Sequence, residues 1–330
     1  MTAVLPTPHT TLRRAFAWHR PLMTLAVAMA VLLVVCVVGL IVDDRVLTGV
    51  PIWTKPTKFA LSTLIYAVTW AWLIALVRGH RPAAARWTHR AGTVAAVLLG
   101  VELAIITVQV LRGTTSHFNQ TTPLNAALFQ VMAVSIVGVW LATLYTTAQL
   151  FRVRDLDPAR SRAIRAGAVV ALVGMALGFL MTRPFPGQIA AGGSIIGAHT
   201  VGVADGGAGL PFLGWSTVGG DLRIPHFVGM HALQALPLLL IALELLAPRI
   251  PVLRRIAVRR SLLGIAAVTY LLVLALTTWQ ALRGQSIVAP DAITLTAGAL
   301  IAAAALTATA LTLLRPHPRE SALSVGRNPR

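Results

Sequence analysis

The sequence predicts an all-α fold, a polytopic bundle of about eight transmembrane helices with both termini cytoplasmic. Three observations carry that expectation: an apolar composition, eight apolar runs of spanning length, and a lopsided distribution of basic residues. Of the 330 residues 56% are hydrophobic and only 12% charged, and the mean hydropathy is +0.77. A soluble domain carries about 25% charged residues, so a hydrated surface cannot be built from this chain.

The runs lie at Leu22–Val42, Lys58–Val77, Ala91–Leu111, Leu124–Leu150, Ala163–Met181, Phe227–Leu246, Ser261–Leu282 and Ala292–Leu314. A helix crosses a bilayer core with about 20 residues at 1.5 Å rise each. The fourth run is long enough to tilt. None alternates apolar with polar residues as a membrane β-strand would. A single eight-helix domain over 22–314 is therefore expected, flanked by cytoplasmic tails at 1–21 and 315–330. The first run follows Arg13, Arg14 and Arg20, exceeds a signal peptide's apolar core and lacks a small-residue cleavage site, so it reads as an uncleaved anchor. The single cysteine, Cys36, lies within it and permits neither an intrachain disulfide nor a cysteine metal cage.

Counting segments alternately from the N-terminus assigns 21 of the 28 lysines and arginines to one side and 7 to the other. The positive-inside rule puts the richer set, including Arg78–Arg90, Arg152–Arg165 and Arg249–Arg260, in the cytoplasm of a cell (inner) membrane protein. The net charge of +18 is thereby an orientation signal, and the expected partner is the lipid bilayer rather than nucleic acid. The longest connection, 182–226, falls on the outer side. It is rich in Gly and Pro yet too apolar for disorder (Ile195, Ile196, Phe212, Trp215), so it is expected to fold back onto the bundle or re-enter the membrane. No internal repeat relates the two halves, which weakens the commonest transporter architectures.

Polar residues that break the apolar pattern supply the site candidates. Glu102 stands inside the third run, where a carboxyl is costly and faces a partner or a water-filled cavity; its ordinary alternative is interhelical glue. Gln109 is seven residues further on the same face. Asp43-Asp44-Arg45 closes the first run, where acids oppose the helix dipole, although a local ion pair would also account for it. Lys55 and Lys58 are the only lysines beside 26 arginines, and a compact ammonium at that place suggests substrate contact as readily as interfacial anchoring. The connection Arg112–Asn125 gathers Arg112, His117 and Asn119, either as a capped loop or as part of a site. The densest cluster runs from Trp215 through Asp221, His226 and His231 to Gln234. His231 and Gln234 share a helix face, whereas His226 and His231 stand about 140° apart and would not naturally ligate one ion.

Glu102, His117, His226, His231, Asp43 and Asp221 are thus candidates for acid–base chemistry. Lys55, Lys58, Gln109, Arg112, Asn119, Trp215 and Gln234 are candidates for holding substrate. The leading expectation is a membrane-embedded enzyme whose outward cavity takes a small hydrophobic, isoprenoid or lipid-like molecule. A proton-coupled transporter using Glu102 is the alternative. A haem- or metal-binding redox protein, with axial pairs among His117, His199, His226 and His231, and a non-catalytic sensor or assembly factor are further ones. No metal ligand and no cofactor is assigned: phosphate-cradling loops, zinc-protease helices and nucleophile elbows are absent from the sequence.

Overall fold

A computed structural model describes residues 12–185, 187–190 and 192–315; most of the expected tails, 1–11 and 316–330, lies outside the described residues. The fold is mostly helical with almost no sheet. After a short α1 (Leu12–Phe16) come the long helices α2 (Arg20–Val42), α3 (Thr54–His80), α4 (Pro82–Leu111), α5 (Pro123–Phe151) and α6 (Pro158–Leu177). The chain ends with α7 (Arg223–Met230), α8 (Ala232–Leu246), α9 (Ile256–Leu282) and α10 (Ala292–Leu314). Among the described residues seven helices are long and apolar enough to cross a membrane, α6 being extended to Thr182 by a 3-10 turn. The sixth apolar run is instead two helices, α7 and α8, bent by 46° at His231; the pair meets the same criterion only when joined.

Sequence chemistry sets most helix starts. Pro occupies the first turn of α2, α4, α5 and α6, where its missing N–H costs nothing. Thr122, Asp157 and Asp291 cap α5, α6 and α10 through their side-chain oxygens. His19 caps α2: its Nδ1 accepts from Leu22 N, and its Nε2 donates to His89 O at 2.9 Å. Burial pushes the His19 imidazole down to about 4, so it caps as the neutral base.

The helices extend well beyond the apolar runs. Arg78–Arg90, expected to be a loop, is almost wholly helical: α3 ends at His80, α4 begins at Pro82, and Arg81 alone joins them. Ala and Arg are strong helix formers, and hydropathy registers only the part of a helix at hydrocarbon depth. Glu102 is accordingly not central in its helix, but about 14 Å from one end and about 30 Å from the other.

Two kinds of surface separate core from exterior. A cluster around Leu22, Trp70, Leu73, Ile74 and Leu103 fills the space between α2, α3 and α4. Outward, α2 exposes Val27, Val31, Val34, Val38 and Ile41, a face that suits acyl chains and not water. Between α6 and α7 the contact is backbone on backbone, since a Cβ on Gly174 would collide with Gly229 and Met230. Helix α10 packs mainly on α9.

Short strands trim one end of the bundle. Val46–Leu47 (β1) pairs with Val50–Pro51 (β2) around Thr48 and Gly49, both at positive φ as a type I′ hairpin needs. Thr200–Val201 (β3) pairs with Gly220–Asp221 (β4) inside the long connection. That connection also hydrogen-bonds to the neighbouring one through Ile196 N to Phe118 O and Gln120 N to Ser194 O. Gly197 is required there, because at φ +104° a Cβ would lie 2.5 Å from Met181 O.

Candidate functional site

The helices α3 to α8 and the connection between α6 and α7 enclose a cavity of about 980 Å³. It reaches from Lys55 on the first turn of α3 down to Trp70, about 22 Å along that helix. The deep part is mostly apolar, walled by Trp70, Leu99, Leu103, Met132, Val139 and Leu233, with Tyr66, His231 and Gln234 as its polar exceptions. The upper part is polar and is made by residues far apart in the chain: Lys55, Glu102, His117, His199, Asp205 and Arg223. All lie at the end of the bundle opposite the arginine-rich connections.

Glu102 forms the boundary between the two parts. Its residue is 4% exposed, and its Oε2 has no hydrogen-bond partner among the described residues. Its Oε1 faces His117 Nε2 at 3.4 Å. His117 is held from its other side by Ser116 Oγ, 3.1 Å from Nδ1, and is surrounded by Phe59, Phe118 and Phe129. Burial, and then the positive charge of Lys55, keep the His117 imidazole well below its ordinary value. The ring is therefore neutral and its Nε2 can accept or return a proton.

The connection that presents His117 is pinned by amides. Gln109 Nε2 donates to Asn125 Oδ1 at 3.1 Å, and Arg112 donates to both Gln109 Oε1 and Asn125 Oδ1. Asn119 Nδ2 donates to Thr115 O, while its Oδ1 accepts from Thr121. Gln109, Arg112 and Asn119, expected to touch substrate, lie outside the cavity lining and brace His117 from behind.

A second acid–base pair carries no mark in the sequence beyond a His and an Asp six residues apart in a glycine-rich stretch. His199 Nδ1 donates to Asp205 Oδ2 at 2.6 Å, and Asp205 also accepts from Thr200 N and Oγ1. Burial would raise the Asp205 carboxyl, but the hydrogen bonds from His199 and Thr200 hold it below the ordinary carboxylate range. Burial lowers His199 despite the opposing pull of Asp205.

The remaining candidates fall into two groups. Lys55, Lys58, Trp215, His226, His231 and Gln234 line the cavity. Lys55 makes no hydrogen bond or ion pair among the described residues and lies 5.8 Å from the Phe59 ring centre. Lys58 Nζ donates to Leu213 O at 2.8 Å. His226 Nδ1 donates to Gly174 O, whereas Gln234 links His231 to Thr69. Asp43 and Asp221 lie outside the lining. Asp43 accepts from Arg45 and from Trp53 Nε1 at 2.7 Å, and those bonds hold it below the carboxylate range while joining α2 to α3. Asp221 is 1% exposed and accepts from Ser216 N and Arg223, which fixes the start of α7.

Among the described residues no three His, Cys, Asp or Glu side chains gather as a metal-binding group. Glu244 pairs with Arg160 at 3.4 Å. No known protein family, curated protein or solved structure matches this chain.

Proposed function

We propose that this is a membrane-embedded enzyme that admits an amphipathic, isoprenoid- or acyl-bearing molecule to the cavity and acts on it by proton transfer through Glu102 and His117. The observation that carries the reading is the Glu102 carboxyl. It is buried in an apolar helix wall, has an unpartnered oxygen among the described residues, and meets a neutral imidazole where the apolar and polar halves of the cavity join. A buried acceptor left unbonded costs about 1–3 kcal/mol, which a purely structural carboxyl would have no reason to retain.

In this reading eight spans hold both termini in the cytoplasm and the cavity opens outward. The tail of the substrate lies against Trp70, Met132 and Leu233. Its head group faces Lys55, whose ammonium is free to meet a negative or polar atom. Glu102 gives its proton to a double bond or heteroatom of the substrate; the carboxylate left behind is stabilised by Lys55 and regains a proton by way of His117. Arg223 and Lys58 hold the carbonyls of Gly214 and Leu213, keeping the covering segment in place.

The transporter alternative finds less support. Below Trp70 a buried apolar cluster including Leu22, Leu73, Ile74 and Val77 packs α2 against α3. The proposal is tested by extracting wild type and Glu102→Gln from native membranes and identifying the molecules that travel with each. Wild type should carry two chemically related amphipathic species, and the variant only the substrate form. Identical profiles would remove Glu102 from the chemistry, and a profile no different from bulk lipid would remove the bound substrate.

A further inference from the structure

We infer that a second cleft, at the opposite end of the bundle, is a binding site for an anionic phospholipid. This assignment does not depend on the enzymatic reading. The cleft opens between the end of α5, the start of α6 and α9, with a volume of about 1340 Å³. Arg81, Arg152, Arg154, Arg162, Arg165 and Arg260 line it, against Asp155 as the single acid.

Half of these arginines are already engaged. Arg81 donates to Gln149 Oε1 at 3.1 Å, and Arg152 to Ala148 O at 3.5 Å. Arg165 donates to Val153 O at 2.7 Å and lies over the Phe151 ring. Arg154, Arg162 and Arg260 make no hydrogen bond or ion pair among the described residues. Arg162 lies over Gly264 on α9, where an added Cβ would be 2.6 Å from its Nη1 and the flexible guanidinium would have to move aside. Three uncommitted guanidinium groups, each with five N–H donors, thus surround one opening.

Orientation by the positive-inside rule accounts for arginines at this end but not for their convergence on a cleft with an apolar wall. Val169, Val170, Ala267 and Leu271 form that wall. From Arg260 to Leu271 it descends about 16 Å along α9, to the depth of acyl chains. A cationic rim above an apolar wall matches a phosphate head group with its chain attached. A soluble phosphate compound would satisfy the arginines and leave the wall exposed.

The test uses the full chain in detergent, with bound lipid counted by native mass spectrometry and unfolding followed thermally. Phosphatidylglycerol should be retained about tenfold more than phosphatidylcholine and should raise the midpoint. Arg154→Gln with Arg260→Gln removes two exposed, unbonded arginines, so the fold should be unchanged by circular dichroism. Retention of phosphatidylglycerol by the double Gln variant should fall by up to about tenfold, toward the phosphatidylcholine level, and the corresponding double Lys variant should keep most of it. Equal retention of both lipids, or wild-type retention by the Gln variant, would overturn the site. A midpoint shift by glycerol phosphate or inorganic phosphate as large as that by the lipid would overturn the lipid assignment.

Discussion

At Glu102 and the histidines, single side chains separate a structural role from a functional one. If Glu102 is interhelical glue, removing it should loosen the fold. If it is a functional acid with an unsatisfied oxygen, Glu102→Met should raise the unfolding midpoint, by the equivalent of about 1 kcal/mol, while abolishing turnover. Thermal unfolding in detergent decides between them, and a lowered midpoint would favour glue. The histidines set an acid limit. Folding keeps His19, His117 and His199 neutral by burial, with His19 at about 4. An unfolded histidine takes up a proton near pH 6.5, so the unfolded chain binds more protons below that value. The stability they contribute is complete above about pH 6.5 and declines as pH falls toward the lowered folded values. The midpoint should therefore fall between pH 7 and 5, and His19→Asn should flatten that slope; a parallel profile in the variant would show that His19 does not carry it.

At the scale of elements, close packing of α6 on α7 positions His226 and the covering connection. Gly174→Val should cost about 1–3 kcal/mol or more, because its side chain would meet the Gly229 backbone and no flexible neighbour. Gly79→Ala, with nothing near its Cβ, should be neutral or slightly stabilising. Equal midpoints for the two variants would contradict the packing described. The elements show where hydropathy reads well and where it does not. Each apolar run falls within one long helix or, for the sixth, within the α7–α8 pair. Hydropathy misses the helical continuation through Arg78–Arg90, where polar helix formers prolong a helix without an apolar signal. It also reads α7 and α8 as one continuous run, because a bend at His231 leaves the apolar residues on both sides unchanged.

For the whole molecule, sidedness rests on the charge distribution. With Cys36 replaced, a cysteine at Val203 should react with an impermeant reagent from outside and one at Asp155 should not; the reverse result would invert the orientation. The candidate site is partly legible in the sequence. Glu102, His117 and Lys55 stand out because each breaks a local rule of the residues around it. The His199–Asp205 pair does not, since nothing local marks that stretch, and its position over the cavity depends on β3 pairing with β4. Asp43 and Asp221 stand out equally, but local chemistry cannot distinguish a carboxylate facing a cavity from one neutralised by the arginine two residues away. The proposed enzyme must hold an amphipathic molecule beside Glu102, in the cavity beneath His117. A density map of the protein extracted from native membranes without detergent tests this most directly. An elongated density with its head at Lys55, Glu102 and His117 and its tail reaching Trp70 is the expected result. A cavity containing only water, or one closed by side chains, would contradict it.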